Sequence, residues 1–397
     1  MSAPQAPADP QDPVSEREFP LDPGLCHLNH AGVGPWPLRA VHAVQRFAEE
    51  NGRQGSERYG DWLLVERRLR ERLARLIGAE SGADIALAKS TSEALSWVAN
   101  GLDWEPGDSV VGIAEEFPSN RIVWESLADR GVVWRGLALA ESADPESDLL
   151  ALCDPRTRLV AVSWVQYARG LRLDLARLGD LCRARGILLC VDAIQGLGAV
   201  PFDLQRTPAD FVAADGHKWL LGPEGLALFY VRPGLRDRLK LLELGWATVE
   251  RKGDFERTDW TPARDARRFE CGSPNLLGIQ ALDASLSLFE ELGMGRVSAR
   301  LNQRVEYLIE AIDRLGLELL SPREPGRRAG ILTFRVPGAD PAPLYRGLMA
   351  NRVLCAQRGG GIRFSPHFYT PERVIDRAMD CLAGLLADGG PAWPDRA

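Results

Sequence analysis

Lysine is nearly missing from this chain. Of its 48 basic residues only four are lysine, Lys89, Lys218, Lys240 and Lys252, so arginine has been used wherever a plain positive charge suffices. Arginine forms no Schiff base at neutral pH, and a lysine kept in an apolar, glycine-flanked setting therefore invites a chemical explanation. Long apolar runs are missing too: none approaches the ~20 residues that span a bilayer. The opening MSAPQAPADPQDPVSEREFP has no apolar stretch of the signal-peptide kind. The sequence reads as a cytoplasmic protein with a loose leader and no membrane partner. Net positive charge is lacking, with 48 basic against 55 acidic residues and a balance of -7, which argues against nucleic acid as the main partner. The seven cysteines, Cys26, Cys153, Cys182, Cys190, Cys271, Cys355 and Cys381, never fall in a CxxC spacing, so neither a disulfide framework nor a zinc or other metal site is indicated.

What the chain does have is apolar content. At 45% hydrophobic over 397 residues a disordered chain is excluded, and the length suits one large α/β domain with a smaller companion. Helical spacing over 38–54 and 61–77 predicts two charged helices at the front. Short apolar runs follow at 109–113, 131–134, 158–164, 187–192, 210–215 and 226–231, separated by helical stretches, and read as buried strands of a mostly parallel sheet. After an irregular, charged stretch at 235–275, the pattern predicts two helices over 276–315 interrupted at Gly293. Strands at 330–336 and 362–366 and helices at 341–351 and 371–387 then suggest a small α+β unit. The expected division is a leader at 1–24, a large domain at 25–275 whose segment 25–60 lies near the site entrance, a small domain at 276–388 and a tail at 389–397. The Pro- and Ala-rich ends, 1–18 and 389–397, are expected to be disordered.

Open α/β sheets bind ligands beyond the C-terminal ends of their strands, and three polar strand ends stand out. In ALAKSTSEALSWV a helix opens on Ser90, Thr91, Ser92 and Glu93, which reads either as an anion cup for a phosphate or as an ordinary capping box. Asp192 ends ILLCVD, a strand too apolar to need a carboxylate for packing, and Gln195 follows it. A buried carboxylate needs a cationic or protonated partner, such as the protonated nitrogen of a pyridine ring; the plainer reading is a helix cap. Lys218, between His217 and Trp219 and flanked by Gly216 and Gly222, is the strongest local signal, because desolvation turns an amine into a nucleophile and proton carrier.

The combination of hydroxyl cup, Asp and Lys resembles the class V aminotransferases, pyridoxal-phosphate enzymes of fold type I. The likeness runs from about 25 to 387 through HLNHAGVGPWP, KSTSEALSWV, SWVQYARG, VDAIQGLGAVPFD, ADGHKWLLGPEG, RRFECGSPN and GGGIRFSPHFYT. It implies the transferase fold type I, with a mostly parallel seven-stranded sheet in the large domain and a smaller C-terminal α+β domain. It implies pyridoxal 5'-phosphate bound by Lys218 as a Schiff base, Asp192 on the pyridinium nitrogen, Gln195 on the phenolic oxygen, and the phosphate held by Thr91, Ser92 and His217. Ser273 would reach the phosphate of a neighbouring subunit, so a homodimer with shared sites is implied, and Arg363 would clamp the substrate α-carboxylate.

Three positions depart from the desulfurase branch of that family. Phe117 stands where a ring-stacking, proton-carrying histidine is found, and a phenyl ring can stack but cannot move a proton. Asp215 replaces a serine and, being anionic, should point away from a phosphate. Tyr167 replaces an asparagine and stands beside the substrate position. Cys355, shortly before Arg363, matches the place of a nucleophilic cysteine but also reads as the end of a buried strand. His30 reads as an acid or base near the α-carbon or as a structural histidine. The expected function is a pyridoxal-phosphate enzyme acting at Cα or Cβ of a small α-amino acid, by transamination, β-elimination or epimerisation. The alternatives are a cysteine desulfurase or selenocysteine lyase using Cys355, and a non-catalytic pyridoxal-phosphate-binding module.

Overall fold

Runs such as Leu188–Asp192 and Phe211–Asp215 have no polar face, and a strand of that kind is stable only where both sides of its sheet are covered. In the computed structural model, which describes residues 13–387, seven strands form one sheet. Their order is Ile85–Ala88, Ala227–Val231, Phe211–Asp215, Leu188–Asp192, Thr157–Ser163, Ser109–Ile113 and Val133–Leu137. All neighbours are parallel except those of Ala227–Val231, which runs antiparallel to both strands beside it. The α/β architecture with a mostly parallel seven-stranded sheet is therefore present. The strand expected at 131–134 begins two residues later and forms an edge, with Val133 exposed.

The C-terminal unit is an antiparallel sheet in the order Ala356–Arg358, Gly361–Phe364, Leu332–Arg335 and Glu318–Leu319, accompanied by helices Met294–Arg314, Pro341–Ala350 and Glu372–Ala387. Gly293, at φ 77, separates helix Leu276–Leu292 from Met294–Arg314, where the sequence predicts the interruption. The first of these helices is tied to the front of the chain, because Asp283 takes both Arg68, at 2.6 Å, and Arg72, at 2.9 Å. Among the described residues no helix is long and apolar enough to cross a membrane.

The leader differs from expectation. Residues 1–12 and 388–397 lie outside the described residues, but Pro13–Glu18 is a helix, and the chain after it packs down. Glu18 is buried and pairs with Arg39 at 2.9 Å. Phe19 stacks on Tyr369 with ring centroids 3.5 Å apart. An acid and an aromatic at 18–19, directly after a Pro-rich run, were the signal of a docked segment rather than a loose one.

The segment after the leader joins the two sheets. Cys26–His27 pairs in parallel with Val353–Leu354, and Asn29 bridges to Ser365. Gly34 then donates its N–H to the His217 carbonyl at 2.8 Å. A Cβ at position 34 would lie 2.5 Å from the Lys218 carbonyl, so only glycine lets the chain pass there. If the leader is docked as described, Phe19→Ala should cost about 3 kcal/mol, the usual range for a large aromatic truncated in a packed site. The shift in urea midpoint measures it; an unchanged midpoint would mean the segment is loose after all.

Candidate active site

The C-terminal ends of three adjacent strands bring Ser163, Asp192 and Asp215 to one edge of the sheet. Asp192 is buried, and among the described residues the one hydrogen bond to its carboxylate comes from the Ile194 N–H, at 3.0 Å to Oδ1. Burial pushes its carboxyl up to about 6, against the lowering influence of that N–H and of Lys218. The cap reading of Asp192 therefore holds for one oxygen. No helix longer than a turn follows it, so capping does not account for the carboxylate.

Lys218 lies in the turn after Phe211–Asp215 and is 9% exposed. Its Nζ sits 5.4 Å from the centroid of the Phe117 ring. Desolvation lowers its amine to about 8, with Asp192 acting in the opposite direction and Arg363 adding to the fall. The turn itself is held under constraint. Leu221 has φ 56, a left-handed conformation that leucine seldom adopts. Gly198 approaches so closely that a Cβ there would be 2.2 Å from the Trp219 carbonyl oxygen. Trp219 is fully buried and donates from Nε1 to Gln195 Oε1 at 2.8 Å, while Gln195 Nε2 donates to the Ala31 carbonyl at 3.0 Å. A carboxamide carries two N–H donors, so Gln195 keeps one for a ligand while locking Trp219 and, through it, Lys218.

The capping reading of the hydroxyl cluster holds for Ser90 and leaves Thr91 and Ser92 at the helix start. Ser90 is the cap, accepting from the Glu93 N–H at 3.2 Å. Thr91 and Ser92 begin the helix Thr91–Gly101, whose first N–H groups are unpaired within the helix and suit an anion. Thr91 Oγ1 accepts from the Asp215 N–H at 3.0 Å, and Ser92 donates to Ser119 Oγ at 2.8 Å. His217 Nδ1 lies 2.8 Å from Asp215 Oδ1, out of line for a hydrogen bond. Asp215 thus faces His217 rather than the helix start, as its charge requires.

Opposite this cup, Arg363 is 4% exposed on strand Gly361–Phe364. Nη1 donates to the Tyr167 carbonyl at 2.7 Å and Nη2 to Asn29 Oδ1 at 3.2 Å, while Nε is buried with no partner. Burial, with Arg358 nearby, lowers the guanidinium to about 10. A buried guanidinium with an idle N–H is suited to a carboxylate. Tyr167 and Phe117 meet edge to face with centroids 5.3 Å apart. Asn29 takes part in this region and was not singled out from the sequence; it lies inside HLNHAGVGPWP, but only the fold shows that its amide meets Arg363.

Two expected site residues are corrected. His30 is fully buried, with Nδ1 2.8 Å from the Ser365 carbonyl and Nε2 2.6 Å from the Tyr369 hydroxyl. The carbonyl can only accept, so Nδ1 carries the hydrogen and Nε2 accepts from Tyr369. Both nitrogens are used, and desolvation beside His27 and His367 holds the ring well below its usual range: His30 is a structural, neutral histidine. Cys355 is 2% exposed, and burial pushes its thiol up to about 12 despite Arg363. Burial there disfavours the thiolate. Ser273 is exposed, on a loop that lines a cleft with Lys89 and Glu93.

This geometry can be set beside known proteins. The family described as aminotransferase class-V matches residues 28–363. The chain belongs to the class V aminotransferase family. It is 33% identical over 391 residues to isopenicillin N epimerase of Streptomyces clavuligerus, covering 93% of this chain and 96% of that protein. A probable cysteine desulfurase of Methanothermobacter thermautotrophicus is 30% identical, covering 93% of this chain and 97% of the other. The solved cysteine desulfurase of Thermococcus onnurineus NA1 superposes with a TM-score of 0.85 at 24% identity, covering 96% of this chain and all of that one, which bears on the fold alone. As a class V aminotransferase the chain is a pyridoxal-phosphate-dependent enzyme.

The residues present fit that cofactor. The free N–H groups at Thr91 and Ser92 suit its phosphate, the Phe117 ring offers it an apolar surface, and Asp192 is a buried carboxylate that, among the described residues, accepts one hydrogen bond, from its own loop. In the apoprotein the Lys218 amine should become reactive toward a small aldehyde with a midpoint at about pH 8, since only the free base is nucleophilic. Rates compared with a Lys218→Ala variant measure it. A midpoint at the ordinary lysine value would mean that the amine is solvated.

Proposed function

We propose that this class V aminotransferase moves the α-proton of an amino acid with Lys218, with Arg363 holding the α-carboxylate and without any thiol relay. One observation carries the reading: the buried Lys218 amine feels both Asp192 and Arg363, whose buried Nε has no partner, while burial pushes the Cys355 thiol up to about 12. When bound, the cofactor supplies an electron sink for charge left at the α-carbon. Asp192 favours the protonated ring nitrogen, because a buried carboxylate gains most from a cationic partner. Arg363 fixes the carboxylate and so aims the α-hydrogen. Lys218, lowered to about 8, takes or returns a proton near neutral pH without a large energetic mismatch. Phe117 blocks one face and offers no proton.

Transamination, β-elimination and epimerisation all begin with this step, and the relative named isopenicillin N epimerase supports placing the chain on the proton-moving side of the family. The desulfurase route needs a thiolate that attacks sulfur, and Cys355 does not supply one. A homodimer with shared sites belongs to the same proposal: Ser273 is exposed, and so are the large apolar side chains Leu242, Leu244, Trp246, Phe255 and Trp260 of the same irregular stretch, Trp246 and Phe255 with ring centroids 6.1 Å apart, and exposed apolar surface favours association. The reading also places the protein in the cytoplasm.

Two variants test it. Arg363→Ala should lower kcat/KM on the best amino-acid substrate by about 100-fold, since a buried charge-assisted pair is lost. Cys355→Ser should leave turnover nearly intact. Robust sulfide release from L-cysteine with a reductant, abolished in Cys355→Ser, would contradict the proposal and point to a desulfurase.

A further inference from the structure

Asp192 is not the only carboxyl at this end of the sheet. Glu116, in the loop after strand Ser109–Ile113, is 4% exposed. Its Oε1 accepts from the Ser163 N–H at 2.6 Å, and its Oε2 lies 2.5 Å from the Ser163 hydroxyl. Ser163 is the cross-strand partner of Asp192. Glu116 is therefore one residue removed, through Ser163, from the carboxylate assigned to the ring nitrogen.

The groups that face Glu116 are Ser163 from strand Thr157–Ser163, Asn120 from helix Ser119–Glu125 and Asp192 from strand Leu188–Asp192. Asp192 in turn feels Lys218, which favours its anion, and Asp215, which opposes it. Among the described residues no cation pairs with Glu116. A carboxylate withdrawn from water without a cation is strongly disfavoured against its protonated form, and a second carboxylate nearby adds repulsion. Two carboxyls in unequal surroundings divide the roles, one keeping the proton and the other the charge. Asp192 has an amine on its side and Glu116 has only hydroxyl and amide groups, so the proton belongs to Glu116.

We propose that Glu116 stands at neutral pH as an uncharged carboxylic acid behind Asp192, a positioning residue that fixes Ser163 and leaves Asp192 the only anion available to the ring nitrogen. The inference rests on the assignment of Asp192 in the proposed function. The acidities agree in order: burial and Asp192 raise Glu116 to about 8, whereas Asp192 reaches about 6. With the proton on Oε2, the 2.5 Å contact is an O–H donated to Ser163 Oγ, and the Ser163 hydroxyl hydrogen is free to donate onward.

The test begins with apoprotein labelled with carbon-13 at the glutamate side-chain carboxyl. One resonance should sit at the protonated position at pH 7, move with a midpoint of about 8 and be missing from Glu116→Gln. In Asp192→Asn the midpoint should fall, because the repelling anion is gone. A Glu116 resonance already at the carboxylate position at pH 7, or a midpoint that Asp192→Asn leaves unmoved, would overturn the proposal.

Loaded protein gives the second readout. Glu116→Gln, neutral and of the same shape, should keep the visible cofactor band and turn over within about twofold of wild type at pH 7, while losing an alkaline spectral transition that wild type shows. Turnover lost as fully as in Asp192→Asn would mean that Glu116 acts as an anion, and the proposal would fail. If Asp192→Asn leaves both spectrum and turnover untouched, the failure lies in the assignment of Asp192, and the positioning role falls with it.

Discussion

Taking one amine out of water sets the terms for everything around it. Lys218 is 9% exposed, and a buried ammonium is costly unless an anion faces it or the proton leaves. Both remedies are in place, since Asp192 faces the amine and its acidity is brought to about 8. The turn that carries Lys218 cannot relax to let water in. Gly34 and Gly198 press on its backbone where no side chain would fit, and Leu221 is held left-handed. The strain and the glycines serve the same end, keeping a reactive amine dry and aimed.

The N-terminal segment is part of that enclosure. It pairs with a strand of the C-terminal unit, passes Asn29 to Arg363 and closes over the His217 carbonyl. The histidines along this seam work as neutral hydrogen-bonding struts. His30 joins Ser365 to Tyr369, and His367 accepts from the Phe368 N–H and donates to the Trp219 carbonyl. One chain of contacts thus runs from the leader to the residue after Lys218, so Arg363 and Lys218 are positioned by the same scaffold. Both ring nitrogens of His30 and of His367 are spent in this way, which leaves neither of these two imidazoles free to carry a proton.

Much of this was legible in the sequence because the signals were of the strong kind. Short apolar runs bounded by glycine and aspartate read as buried strands, and all but the exposed edge strand Val133–Leu137 are. Gly293 reads as a break between two helices, and it is. The scarcity of lysine marks Lys218 before any fold is known. The failures have a common physical cause, which is that burial and partner cannot be read from residue type. His30 and Cys355 have the chemistry of catalytic residues, but one spends both nitrogens on Ser365 and Tyr369, and the other sits where its thiol stays protonated. Glu116 was hidden for the opposite reason: beside Glu115 it looks like a surface acid, and only the register of Ser163 with Asp192 brings it inward. The leader misled because proline and alanine dominate its composition, while two residues at its end, Glu18 and Phe19, decide where it goes.

The central claim is that the cofactor is carried by the one lysine built into the sheet edge. Borohydride reduction of the purified, cofactor-loaded protein followed by peptide mass mapping tests it directly. The account predicts a single modified peptide, with the reduced cofactor on Lys218. Modification at Lys89, Lys240 or Lys252, or spread among them with Lys218 unlabelled, would contradict it.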